Sequence, residues 1–158
     1  MLPIARIVCP TDFSEPSYVA LKAADELALH FSAELILVHV VAPIPVYPTS
    51  ATPEASSSSA GMVASYQQEM EVYAKKSLDQ IVQKRVPEGI ASRTRVCLGE
   101  AANEIVSTAT DEKADIIVIA THGLTGWRHF MFGSVAEKVV RSAQCPVLTI
   151  REPQEAEG

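Results

Sequence analysis

The sequence predicts an α/β fold: one doubly wound domain, with a five-stranded parallel sheet in the order 3-2-1-4-5 and helices on both faces. Three observations predict it. Five short apolar runs, rich in β-branched residues, read as strands, and most are apolar on both faces, as central parallel strands are. Four stretches with helical periodicity alternate with them, so each strand must be parallel to the next and reached by a right-handed crossover. The chain has 158 residues, enough for one well-buried core and too few for two.

The first strand is residues 4–10, Ile-Ala-Arg-Ile-Val-Cys-Pro. Ser14 is placed to cap the following helix, with Glu15 and Pro16 in its first turn. That helix carries Ala20, Ala24, Leu27 and Ala28 at helical spacing. Residues 34–41 form the second strand. Residues 42–61 hold four prolines and the serine run 56–59, and they predict a mobile insertion without regular structure. The spacing predicts a helix over 62–86, with Met62, Tyr66, Met70, Tyr73, Ala74, Leu78, Ile81 and Val82 on its inward face. Residues 92–98 read as an edge strand, with Thr94, Val96 and Leu98 on one face and Arg93, Arg95 and Cys97 on the other. A helix follows to about Lys113, then the buried strand 116–120. Ser134-x-x-Glu137 is a capping box that starts the last helix, which ends before Cys145-Pro146. Val147 to Ile150 is the final strand. The domain therefore covers 1–151, and 152–158 is an acidic tail.

The formal net charge of −6 opposes binding to nucleic acid or to an anionic membrane surface, both of which need a positive field. No signal segment and no run long enough to span a bilayer is visible, which places the protein in the cytoplasm. The three cysteines are far apart and odd in number, which fits buried thiols rather than a disulfide framework or a zinc site. The GxxxxGK[ST], GxGxxG and GxSxG patterns are absent. His39, His122 and His129 with Asp12 match no standard metal-ligand spacing.

In this topology a ligand belongs at the carboxyl ends of strands 1 and 4, where the winding reverses. Those ends are Pro10-Thr11-Asp12 and Ala120-Thr121-His122-Gly123. Asp12 is placed to meet a ribose or a magnesium ion, or to cap the first helix. Strand 4 runs into a glycine-bearing loop and then into the helix starting at Gly133-Ser134. Backbone N–H groups of such a loop and helix turn form an anion cradle. Arg128 and His129 could reach phosphate oxygens, or lie in solvent.

These residues resemble the universal stress protein family. Its signature is G-x-x-G, nine residues, then G-S or G-T. Gly123, residues 124–132 and Gly133-Ser134 fit it, and the first glycine falls on Ala120. The start, Ile-Val-Cys-Pro-Thr-Asp-Phe-Ser, and the stretch from Gly133 through Leu148 look like the family's first and last elements. The resemblance implies the branch that binds ATP or AMP. Carried over by position, Pro10, Thr11 and Asp12 line the ribose and adenine side, Val40 reads the base edge through its backbone, and Ile119 and Ala120 flank the nucleoside. Gly123, Gly133, Ser134 and Val135 hold the phosphates, and His122 and Gly126 belong to the same nucleotide site. Magnesium would enter only with ATP and touch Asp12 indirectly. The methyl of Ala120 is expected to weaken binding at most. The resemblance further implies a homodimer through the last strand, Val147–Ile150, and a stress-response regulator that acts through partners. A slow ATPase and a dimer with an empty pocket are the alternatives.

Overall fold

The computed structural model describes residues 3–45, 53–122 and 133–151. Along them run β1 (Arg6–Pro10), α1 (Glu15–Phe31), β2 (Glu34–Val41), α2 (Pro53–Arg85), β3 (Ser92–Leu98), α3 (Ala101–Asp111), β4 (Ile116–Ala120), α4 (Ser134–Ser142) and β5 (Val147–Ile150). The sheet order is β3-β2-β1-β4-β5, and every pairing is parallel. This is the predicted fold and strand order.

Successive side chains of a strand point to opposite faces, so each central strand feeds two cores. Ile7, Cys9, Leu35 and Leu37 meet Leu21 and Ala24 of α1 and Leu78 of α2. Val8, Ile36, Ile117 and Ile119 meet Ile105 of α3 and Val139 of α4. The alanines of α1 let its backbone lie close to the sheet. Ser14 caps α1 by accepting from the Ser17 amide at 3.4 Å, and Pro16 sits in the first turn, both as expected. At the other end Ser32 closes α1 in the left-handed conformation (φ 55°), where glycine is commoner.

The third strand stands at the sheet edge, as expected, and the structure departs from expectation in three places. The helix expected from residue 62 begins at Pro53, inside the segment read as an irregular insertion. Proline is tolerated in a first helical turn, and extending a helix already nucleated is far cheaper than starting one. Residues 46–52, the rest of that insertion's core, and the tail 152–158 lie outside the described residues.

The inward face of α2 is narrower than its apolar pattern. Ala74, Leu78 and Ile81 are buried, but Met62, Tyr66, Met70 and Tyr73 are exposed. The packed side of the helix is rotated by roughly a quarter turn from that stripe, and the sheet ends before it reaches the stripe.

On β3 it is Cys97 that is buried and Leu98 that is exposed. Arg93 and Arg95 keep the same face as Cys97 by bonding carboxylates beside it. Arg93 reaches Glu34 at 2.7 Å and Glu112 at 3.1 Å, and Arg95 reaches Glu112 at 3.0 Å. Those guanidinium bonds hold Glu112 below the usual carboxylate range. The polar face of this strand lays half-exposed guanidinium groups across the C-terminal end of α3.

The capping box at Ser134 does not form. Gly133 is the N-cap of α4, with no side-chain cap bond, and Ser134 is the first helical residue. Glu137 instead faces Arg141 at 3.5 Å, one turn on. Among the described residues no side chain caps the first-turn amides of α4.

Candidate ligand cleft

The ends of β1 and β4 border the candidate cleft. After Pro10 the ladder continues for one more bond, from the Thr11 amide to the Val38 carbonyl at 2.8 Å. Thr11 is buried, and its hydroxyl meets that of Ser17 at 2.8 Å while accepting from the Phe13 amide at 3.1 Å. Asp12 accepts from both the amide (3.1 Å) and the hydroxyl of Ser14 through Oδ1. Asp12 therefore braces the helix cap, which was one of its two sequence readings, and it also lines the cleft.

The turn between them is strained. Phe13 has φ 66°, a region a bulky residue seldom occupies. It is held there by stacking on the His39 ring, with centroids 4.3 Å apart and planes 27° from parallel. The His39 Nδ1 lies 2.8 Å from the Thr11 carbonyl oxygen, so Nδ1 carries the proton and donates. His39 thus links β2 to the turn that carries Asp12.

On the β4 side, the Thr121 amide donates to Ile150 at 2.9 Å. The Gly133 amide donates to the Thr121 carbonyl at 2.6 Å, so the two ends of segment 122–132 are clasped together. A Cβ on Gly133 would lie 3.1 Å from that carbonyl oxygen, tight enough to force movement. Gly133 permits the clasp, and the clasp aims the uncapped start of α4 at the end of β1. Unbonded helix N–H groups and the helix dipole together favour an anion at that point.

The cleft so formed has a volume of about 350 Å³. Its walls include Pro10, Thr11, Asp12 and Val40 on one side and Ile119, Ala120, His122, Gly133, Ser134 and Val135 on the other. All ten were singled out in the sequence. Gly123 and Gly126, the other two, lie outside the described residues, as do Arg128 and His129. Ala120 has ordinary strand backbone, paired with Ile150, so nothing in its conformation demands glycine.

Thr121, within the strand end expected to face a ligand, lines the cleft too; sequence reasoning missed Ser17, Ala101, Ile105 and Ala136. His39 was weighed there only as a metal ligand. Ala101 and Ile105 had a readable signal. They stand one turn apart at the start of a helix, and every helix after a parallel strand begins at the carboxyl end of the sheet. Among the described residues no cluster of three or more His, Cys, Asp or Glu is arranged to hold a metal ion. No described helix is long and apolar enough to cross a membrane.

Fold and cleft together define a class: a doubly wound α/β domain with a cleft at the point where the winding reverses. A profile of the universal stress protein family matches residues 3–151, and the chain belongs to that family. The chain is 33% identical to universal stress protein MJ0531 of Methanocaldococcus jannaschii, over 94% of this chain and 83% of that one. Its fold superposes on the solved structure of MJ0577, from the same organism, with a TM-score of 0.78 at 27% identity, covering 96% of this chain and 99% of that chain. It also superposes on a universal stress protein from Archaeoglobus fulgidus in complex with dAMP, with a TM-score of 0.56 at 24% identity, covering 95% and 99%.

Proposed function

We propose that this chain binds an adenine nucleotide, ATP or AMP, in the cleft between β1 and α4, and that occupancy sets which partners it meets in a stress response in the cytoplasm. The observation that carries the reading is the clasp of Gly133 on Thr121, which opens the first turn of α4 toward the cleft. The dAMP complex of the Archaeoglobus relative supports the ligand class.

The residues present fit such a ligand. Glycine at 133 keeps the clasp, since a Cβ there would crowd the Thr121 carbonyl oxygen, and the amides at the start of α4 suit phosphate oxygens. Val40, Ile105 and Ile119 supply apolar wall for a base, and Asp12 supplies an acceptor for ribose hydroxyls. Magnesium, if it enters, comes with the triphosphate and meets Asp12 indirectly. The slow-ATPase reading gains no further group. Among the described residues lining the cleft Asp12 is the one carboxylate, and its Oδ1 already accepts from Ser14. Pairing of β5 edges between two copies remains part of the proposal, with Leu148 exposed on that strand.

Calorimetric titration of ATP and AMP into the protein tests the reading. Saturable binding of one nucleotide per chain is expected, and Asp12→Ala is expected to weaken it by about tenfold, the loss of one or two hydrogen bonds. No heat of binding at millimolar nucleotide would exclude the proposal.

A further inference from the structure

The exposed stripe on α2 has no role in the cleft or in the sheet. Met62, Tyr66, Met70 and Tyr73 are 75%, 58%, 39% and 70% exposed. They recur at four- and three-residue intervals, so they form one continuous ridge. The same line continues through Ser77 into a hollow of about 300 Å³, walled by Tyr73, Ser77 and Ile81 of α2 with Phe13 of the turn after β1 and Tyr18 of α1. One half of the stripe is therefore raised and the other half recessed.

We infer that this face of α2 binds α2 of a second copy of the chain, antiparallel and related by a two-fold axis near residues 71 and 72. That register places Met70 opposite Tyr73 of the partner subunit. It also places Tyr66 opposite the partner's Ser77, and Met62 opposite the partner's Ile81. Met62 and Tyr66 then face the recessed Ile81 and the small Ser77 of the other helix, Met70 and Tyr73 pack side by side about the axis, and the two-fold makes every such contact occur twice. The paired length, Met62 to Ile81, is about 28 Å at 1.5 Å per residue.

Charge agrees with the antiparallel direction. Glu69 and Lys76 are exposed and seven residues apart, so they lie along the same flank of the stripe. In an antiparallel pair like flanks meet, which sets Glu69 beside the partner's Lys76 and the reverse. A parallel pair would match different flanks and lose both contacts. Exposed apolar area of this kind marks an interaction surface, and its self-complementarity selects the chain itself as the occupant. The face is also compatible with a β5-paired dimer, because α2 packs on β2 and β3, at the opposite edge of the sheet from β5.

The inference does not depend on nucleotide binding, and its test is the mass of the full chain in solution. Light scattering behind size exclusion, from micromolar to several hundred micromolar chain, is expected to show an assembly that Tyr66→Glu/Tyr73→Glu halves in mass. Circular dichroism and the nucleotide titration are expected to be unchanged in that variant, since neither side chain is in the core or the cleft. Glu69→Lys is expected to weaken the assembly, and Glu69→Lys/Lys76→Glu to restore it. A mass that Tyr66→Glu/Tyr73→Glu leaves unchanged at every concentration would overturn the inference and leave this face to a different protein. So would failure of the charge reversal to restore association.

Discussion

Gly133→Val is expected to lower adenine-nucleotide affinity by about a hundredfold, roughly 2.7 kcal/mol, with only modest loss of stability. The backbone of Gly133, at φ −70° and ψ 154°, is open to any residue, so the variant can fold. What it lacks is room. The first added carbon would sit 3.1 Å from the Thr121 carbonyl oxygen, and valine adds two more methyls behind it. Relief requires α4 to move away from the end of β4, which breaks the 2.6 Å clasp and turns the first-turn amides out of line. Hydrogen bonds to a phosphate weaken steeply with such misalignment. Gly133→Ala is expected to fall between wild type and valine, since its single methyl asks for a shift of only a few tenths of an ångström. Titration of the three proteins with ATP checks the series; equal affinities across it would place the anion site elsewhere.

The second large effect concerns stability and pH. Asp25 lies on the buried face of α1 at 6% exposure, and its Oδ1 has no hydrogen-bond donor among the described residues. Burial, with Glu26 beside it, pushes its carboxyl up to about 7. The Cys9 thiol is raised in turn, first by its own burial and then by Asp25. A carboxyl whose folded pKa is raised holds its proton more tightly in the native state. Its stabilising effect is complete below the unfolded value near 4 and is lost as pH rises to the folded value near 7. Between pH 5 and pH 8 wild type is therefore expected to lose about 2.5 kcal/mol that Asp25→Asn does not. Urea unfolding of both proteins at the two pH values checks it. The sign is the decisive readout: a wild type that gains stability relative to Asp25→Asn over this range would mean that Asp25 is ionised and partnered in the native state.

The fold was legible because each central strand is apolar on both faces and each is followed by a helical period, which leaves little topological freedom. Ile7 and Val8 feed opposite cores from adjacent positions, and both had to be apolar for that. The cleft was legible for a related reason. Topology alone brings the ends of β1 and β4 together, and the residues standing there are few. What escaped reading depended on distances between elements. Nothing local to Asp25 distinguishes it from a solvated helix carboxylate, since its burial is decided by where α1 lies on the sheet. The period of α2 was real, but a ridge of Met and Tyr looks the same in sequence whether it faces a core or water. Ser134 had a valid capping spacing, and Gly133 took the cap because its amide was already committed to Thr121.

The central claim, an adenine nucleotide in the cleft between β1 and α4, is tested most directly by native mass spectrometry of the protein purified gently without added nucleotide. A population heavier than the bare chain by one adenine nucleotide is expected, released on denaturation and missing from Gly133→Val. A bare-chain mass that persists after incubation with millimolar ATP or AMP would contradict it.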